Sequence, residues 1–152
     1  MCWRPRLKTI IVKEPDFKVV RLSGGKYFKN SFVLNSTMAF YWPEIGRVIV
    51  IPAGTVTNFA SVPFGFKNLF PVNCRHRLPA VIHDYLYGMG GYISVELSVR
   101  GITTPVVYTR KQADKLFYEA MLEERVTRVK AWCMYTAVRC FGFGFWEKIR
   151  RK

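Results

Sequence analysis

Residues 79–88 read Pro-Ala-Val-Ile-His-Asp-Tyr-Leu-Tyr-Gly, and they mark the point where the chain changes from strands to helices. Pro79 suits the first turn of a helix, because the backbone N–H that proline lacks would have no partner there. Ala80, His83 and Tyr87 then fall on one helical face at spacings of three and four residues. A glycine cluster follows and ends the pattern. The stretch therefore predicts a short amphipathic helix with an imidazole on its inner face.

The sequence before this helix is typical of β-strands. Residues 31–41 are rich in β-favouring side chains, and residues 47–51 form a second apolar run after a turn sequence at 43–46. Residues 92–108 are rich in Val, Ile and Tyr and predict a short hairpin. We therefore predict an α+β fold, with an N-terminal antiparallel β meander followed by about three helices and a small hairpin inserted.

Two further helices are predicted after the hairpin. Thr109 and Gln112 fit a capping box, in which each side chain satisfies a free backbone donor at the helix start. Five residues of the helix that follows share one apolar face: Ala113, Leu116, Phe117, Ala120 and Met121. The third helix, from about residue 127 to 142, is predicted to bury another apolar face: Val129, Cys133, Ala137 and Cys140.

The chain has 152 residues, of which 50% are hydrophobic and 16% aromatic, so it has enough apolar material for a core and disorder is excluded. We predict a single domain over residues 1–152. Its parts are a β-rich region at 1–63, a loop at 64–78, a helical region at 79–146 and a basic tail at 147–152.

Positive charge is the strongest feature of the composition. Lys and Arg number 24 against 10 Asp and Glu, a formal charge of +14, which attracts anionic lipid, nucleic acid or an acidic protein partner. From residue 125 onward, aromatic side chains are mixed with Arg and Lys, as suits a lipid surface or a nucleic-acid backbone. The candidate lipid- or polyanion-binding residues are Arg125, Arg128, Trp132, Arg139, Trp146, Lys148, Arg150 and Arg151. The alternative is a core-packing helix with an ordinary cationic tail.

Several classes of protein are not indicated. No apolar run approaches the ~20 residues that cross a bilayer, and the apolar patch near the N-terminus is too brief for a signal peptide. The 4 cysteines show no C-x-x-C spacing, so we expect no zinc site. Nothing in the sequence indicates a nucleotide cofactor.

Two acids lie where apolar residues surround them, and an isolated buried charge is costly. Asp114 is a suitable partner for His83, because a carboxylate that holds an imidazole makes it a general base. Tyr87, one turn after His83, is placed to donate its hydroxyl to Asp114. Asp84 points elsewhere around the helix and is a candidate ligand for a hard cation such as calcium or magnesium. The alternative is a buried network of His83, Asp114 and Tyr87 that only locks two helices together.

Four ordered blocks resemble a phage and prophage family known as domain of unknown function 1353. They are the segments at 51–54, 57–63, 83–87 and 113–117. The resemblance implies a phage origin, synthesis in the host cytoplasm and the virion as a further location, but no established activity. Asn58 stands where that family usually has Asp, and it is the second candidate metal ligand.

The pattern H-D-x-x-Y followed by A-D-x-x-F is similar to the two catalytic helices of phospholipase A2. That resemblance implies His83 as base, Asp114 as the residue that orients it, Tyr87 beside them and Asp84 on calcium. The glycine-rich calcium loop of that family is not evident ahead of His83. A weaker likeness to the H…HD…D ligands of phosphohydrolases, through His76, is disfavoured because Pro79 separates the two histidines.

Two functional hypotheses follow from these patterns. One is a metal-assisted, calcium-dependent ester hydrolase that acts on phospholipid. The other is a non-catalytic virion or tail accessory protein, which binds other phage structural subunits, the envelope or nucleic acid through its basic surface.

Overall fold

The computed structural model describes residues 8–10, 17–20, 31–42, 47–57, 77–98 and 103–151. Eight strands and four helices lie in these ranges: β1 (Lys8–Ile10), β2 (Phe17–Val20), β3 (Ser31–Leu34), β4 (Met38–Trp42), β5 (Arg47–Ile51), β6 (Val56–Thr57), α1 (Arg77–Gly88), β7 (Tyr92–Ser98), β8 (Thr103–Val107), α2 (Arg110–Glu123), α3 (Arg128–Phe141) and α4 (Phe143–Arg150). The chain forms two compact units. One contains residues 1–56 and 93–106, and the other contains residues 57–92 and 107–152.

The first unit is built on antiparallel strands. Its larger sheet has the order β1-β4-β5-β7-β8, and a second sheet has the order β2-β3-β6. Along β4, three alternate side chains are buried, Met38, Phe40 and Trp42, as expected for a strand with one inner face. Phe40 pairs with the buried Ile49 of β5, so the core lies on this face of the sheet. Neighbouring strands such as β4 and β5 pair as in a meander, whereas β1 pairs with β4.

The second unit is helical. Helix α2 packs against α1 and α3, and α4 packs against α1 and α3. The capping box predicted at Thr109 and Gln112 is present, and the five apolar residues predicted for the inner face of α2 are all buried. In α1, Ala80, His83 and Tyr87 are buried together, also as predicted. The α+β prediction is therefore confirmed, with antiparallel strand pairs first and the helices mainly in the second half.

The prediction for the buried face of α3 is wrong. Val129 is 75% exposed and Cys140 is also exposed, whereas Ala131 and Met134 are buried. Both faces of this helix are apolar at helical spacing, so periodicity alone does not determine which of them packs on the core. Folding buries one apolar face and leaves the other on the surface.

Helix α4 was not predicted. Its first residues are Phe143-Gly144-Phe145, and glycine and phenylalanine are weak helix formers. The helix is fixed by tertiary contact instead, because Trp146 is buried with its ring edge-on to Tyr87, 4.8 Å between centroids. Much of the predicted basic tail at 147–152 is therefore helical. The predicted loop at 64–78 lies outside the described residues, apart from its last two, which begin α1.

Candidate active site

The side chains of the candidate site lie on three helices of the second unit. His83 and Tyr87 come from successive turns of α1, so their rings lie on the same side of that helix, 4.1 Å apart. Phe117 of α2 contacts the imidazole from another side, 4.8 Å between ring centroids. His83 is 4% exposed. Its imidazole is thus buried in contact with two aromatic rings.

Asp114 is fully buried and is the centre of the hydrogen-bond network. Its Oδ1 atom is 2.9 Å from His83 Nε2 and accepts a hydrogen bond of 2.7 Å from the Tyr87 hydroxyl. Its Oδ2 atom accepts a hydrogen bond of 2.8 Å from Arg139 Nη1 of α3. The two contacts expected from the sequence, with His83 and Tyr87, are therefore both present, and a third one joins them.

These partners determine the charge state of the carboxyl group. Burial alone would raise the pKa of Asp114, but the hydrogen bonds from His83, Tyr87 and Arg139 outweigh it and lower the pKa from its usual value. Burial, together with the bond to Asp114, raises the pKa of Tyr87 far above its usual value. The same carboxylate raises the pKa of Arg139. At neutral pH the network is thus a carboxylate that faces a neutral phenol and a cationic guanidinium.

The tautomer of His83 follows from this charge state. An ionised carboxylate only accepts hydrogen bonds, so the His83 Nε2 atom beside Asp114 must carry a proton. In the neutral ring, Nδ1 is then the unprotonated nitrogen, with its lone pair in the ring plane. This atom is buried and has no hydrogen-bond partner among the described residues. The arrangement therefore fixes Nε2 as donor to Asp114 and leaves Nδ1 as an acceptor without a partner among the described residues, which is one of two things that a general base requires. The other is contact with a water molecule, and this nitrogen is buried.

Arg110 supports the network from the first turn of α2. Its Nη1 atom donates to the backbone carbonyl of Arg139 at 3.0 Å, close to the C-terminal end of α3, where a cation is favoured. The same nitrogen lies 4.0 Å from Asp114 Oδ2. Its guanidinium also lies over the Phe143 ring, 5.6 Å from the centroid. Arg110 therefore ties the end of α3 and the start of α4 to the helix that carries Asp114.

Asp84, the candidate metal ligand, is half-buried on the same helix as His83. Its Oδ2 atom accepts a hydrogen bond of 2.6 Å from the hydroxyl of Thr57, which is buried. These hard oxygens suit calcium or magnesium in type, but calcium takes six to eight oxygens. Within the described ranges, no three His, Cys, Asp or Glu side chains come together as a metal-binding group. Asn58 lies outside those ranges.

Two of the residues predicted to bind lipid or a polyanion have partners inside the protein instead. Arg139 is paired with Asp114, with 31% of its side chain exposed, and Trp146 is buried against Tyr87. The rest are exposed: Arg125, Arg128, Trp132, Lys148, Arg150 and Arg151. The sequence pattern predicts the wrong face of α3 as the buried one, and Arg139 is therefore counted among the surface residues. No helix in the described part of the chain has both the length and the apolar character needed to span a bilayer.

Sequence reasoning also missed Arg110, Phe117 and Thr57 as parts of the site. Arg110 stands four residues before Asp114 on α2, and that spacing is a local signal for an ion pair. Phe117 was predicted as a core residue, and its contact with the imidazole depends on how α1 and α2 cross. The bond from Thr57 spans 27 positions of the chain, and no local pattern indicates it.

Fold and site together define an α+β protein with a buried His–Asp pair, in which a third helix supplies an arginine to the carboxylate. The family model described as "Protein of unknown function (DUF1353)" matches residues 33–138. The chain belongs to this family. The matched range includes His83 and Asp114 and ends one residue before Arg139. No curated protein and no solved structure matches the chain.

Proposed function

We propose that this protein is a hydrolase in which His83 is the general base and Asp114 is the residue that positions it. The observation that supports this proposal is the hydrogen bonding of the two imidazole nitrogens. Its Nε2 atom is held by an ionised carboxylate, and its Nδ1 atom is a buried acceptor with no partner among the described residues. A structural network is expected to satisfy its buried polar atoms, because each unpaired one costs about 1–3 kcal/mol.

The proposed reaction is ester hydrolysis. A water molecule donates a hydrogen bond to His83 Nδ1, its O–H bond breaks towards the ring, and its oxygen forms a bond to the acyl carbon. The imidazolium that results is stabilised by the negative charge of Asp114. When the bond from the acyl carbon to the leaving oxygen breaks, the proton on Nδ1 passes to that oxygen. The products are a carboxylic acid and an alcohol, and the imidazole returns to its starting tautomer.

Tyr87 and Arg139 contribute by keeping the carboxylate ionised. Each donates to Asp114, and each of these bonds lowers its pKa. Without them, burial would favour the protonated acid, which stabilises an imidazolium less. They are positioning residues, because they act on the base through Asp114.

Asp84 remains our candidate for a hard cation, calcium above all. Its carboxylate and the Thr57 hydroxyl supply oxygen ligands of the right type but only a small part of a calcium shell. We therefore assign no reaction step to a metal. The cation is instead a variable of the assay, with calcium, magnesium, manganese or a chelator present.

A second candidate is a non-catalytic accessory protein of a phage particle. Asp114 joins α1, α2 and α3 through its three hydrogen bonds, which is how a purely structural network would lock these helices together. On this hypothesis the exposed apolar face of α3 contacts another subunit. The two candidates differ in what they expect when the base alone is removed.

His83→Gln is the variant that separates them. The glutamine amide nitrogen can occupy the position of Nε2 and donate to Asp114, but the side chain has no basic nitrogen. Release of fatty acid from soluble esters and from phospholipid vesicles is measured for both proteins, together with the melting temperature. For a general base we expect at least a 100-fold loss of turnover with the melting temperature nearly unchanged.

Tyr118→Phe serves as the matched control. Tyr118 lies on the same helix as Asp114, but its ring contacts Tyr135 of α3. We expect it to keep full turnover. If the wild-type protein releases no product with calcium, magnesium, manganese or a chelator present, the hydrolase proposal is wrong. If His83→Gln retains wild-type turnover, His83 is not the base.

A further inference from the structure

The turn between α3 and α4 exposes three phenylalanines in five residues. We call residues 141–145, Phe-Gly-Phe-Gly-Phe, the phenylalanine corner. Phe141, Phe143 and Phe145 are 65%, 58% and 51% exposed. A phenylalanine side chain has no polar atom to place in water, so three phenylalanines that are each more than half exposed are apolar surface that the helical unit itself does not cover.

The corner is held in place by the fold. A Cβ atom on Gly142 would lie 2.5 Å from the carbonyl oxygen of Val138 and 2.7 Å from the Tyr87 hydroxyl, so only glycine allows this close approach. Trp146, one residue beyond the corner, is buried against the same tyrosine. Gly142 and Trp146 are thus packed against Tyr87 of α1, while each of the three phenylalanines stays more than half exposed.

The outer face of α3 carries further exposed apolar residues. Val129 is 75% exposed and Trp132 is 60% exposed, on the side of the helix opposite the buried Ala131 and Met134. Tryptophan is enriched where proteins meet the headgroup region of a bilayer, because its ring is apolar and its N–H is polar.

Basic residues lie close to these apolar residues in the sequence. Residues 125–151 contain seven Arg and Lys and one acid, Glu147, whose carboxylate lies 3.9 Å from Arg151. Arg139 is used by Asp114, and the other six basic residues are exposed. Each cation near an anionic bilayer raises the partition coefficient by roughly fivefold.

We infer that the phenylalanine corner and the outer face of α3 form a docking surface for an anionic lipid bilayer. A second copy of this chain is disfavoured as the partner, because docking would bring the six exposed cations of one copy against the six of the other. Nucleic acid would neutralise the charge and stack on rings, but it offers no apolar phase for Val129. A bilayer with anionic headgroups satisfies both requirements, because the rings enter the acyl boundary while the cations stay among the headgroups.

The corner also contacts the groups around the His–Asp pair. The Phe143 ring lies beneath the guanidinium of Arg110, and the Phe145 ring stacks on Tyr87, 6.5 Å between centroids. Tyr87 donates directly to Asp114. Docking therefore brings the bilayer to the side chains that touch the network. This step rests on the proposed function: a bilayer docked beside the His–Asp pair indicates that the ester substrate is a membrane lipid.

The test is co-sedimentation of the full chain with vesicles of phosphatidylcholine alone or mixed with phosphatidylglycerol. We expect at least tenfold tighter binding to the anionic vesicles and weaker binding at high salt. Phe141→Ser combined with Phe143→Ser should weaken it at least tenfold. Val107→Ser, with 56% of the residue exposed on a strand, is the matched control and should bind as the wild type does.

The inference is overturned if the wild type fails to bind anionic vesicles, or if the double variant binds them equally well. It is also overturned if only a single-stranded oligonucleotide binds in a phenylalanine-dependent way. Phe141→Ser alone replaces the double variant if that one fails to fold. His83→Gln should bind vesicles normally, so loss of docking and loss of turnover are measured independently.

Discussion

Asp114→Asn removes the charge of the network while keeping its shape. In the wild type, the carboxylate accepts three hydrogen bonds, from His83 at 2.9 Å, Tyr87 at 2.7 Å and Arg139 at 2.8 Å. An asparagine has one acceptor oxygen and one donor amide, so at least one of these partners must lose its acceptor or reverse its role. We expect the variant to fold, to be less stable and to hold His83 in the other tautomer.

The size of the effect can be worked from burial. A hydrogen bond to a charged group contributes about 1.5–3 kcal/mol, and a buried donor left unpaired costs about 1–3 kcal/mol more. Arg139 is 31% exposed and recovers part of its hydration, which reduces the loss. We therefore expect the free energy of unfolding to fall by about 2–3 kcal/mol at pH 7. For a chain of this size that is a fall in melting temperature of about 4–12 °C.

The pH dependence gives a second measure of the same charge. Because the pKa of Asp114 is lowered below its usual value of 3.8 in the folded state, its stabilisation is complete well above that value. It is lost as the pH falls through 3.8 towards the folded pKa. The wild-type protein should therefore lose more stability between about pH 5 and pH 3 than Asp114→Asn does.

The assay is urea denaturation at several pH values, with nitrogen-15 spectra of the histidine ring to identify its tautomer. Glu119→Gln is the control, because it makes the same chemical change on the same helix in a pair with Lys115 at 3.6 Å that is partly open to solvent. That pair should contribute under about 1 kcal/mol. The reasoning is refuted if the two variants cost the same, or if the proton stays on Nε2 in Asp114→Asn.

Three further substitutions test other parts of the structure. Tyr87→Phe removes one of the donors that lower the pKa of the buried carboxylate, so we expect a loss of about 1–2 kcal/mol by urea denaturation and acid unfolding at a higher pH; unchanged acid unfolding would contradict it. Gly142→Ala forces a Cβ to within 2.5 Å of a backbone oxygen and should lower the melting temperature clearly, whereas Gly144→Ala has open space and should be neutral or stabilising; equal effects would show that the close approach is unimportant. Thr109→Ala removes the capping box of α2 and should cost about 1 kcal/mol in thermal melts; no loss would mean that tertiary contacts alone fix this helix start.

The features predicted correctly from sequence are those with local causes. The capping box at Thr109, the buried face of α2 and the common face of His83 and Tyr87 each follow from spacings within one helix. The meeting of His83 with Asp114 joins two helices. It was predictable because a buried acid needs a partner and few polar side chains were available.

The features that were missed depend on how helices pack. Helix α3 has two apolar faces, and its packing against α2 and α4 determines that Met134 is buried and Val129 is exposed. That choice of face also turns Arg139 towards Asp114, so one error in rotation concealed a member of the site. Helix α4 has poor intrinsic propensity and is fixed by the burial of Trp146, which no local pattern records.

The choice of residue at position 83 bears on the two proposed functions. A structural lock needs one donor directed at Asp114, and the indole N–H of a tryptophan, a donor-only group, would supply it without burying an unpaired acceptor. His83 supplies the same donor but adds a buried acceptor that no described residue pairs, at a cost of about 1–3 kcal/mol. A general base requires that same free acceptor, on a ring whose orientation and tautomer are fixed from the other side. The feature that is unfavourable for stability is therefore the one that proton transfer needs, and for this reason the hydrolase is the better supported of the two proposals.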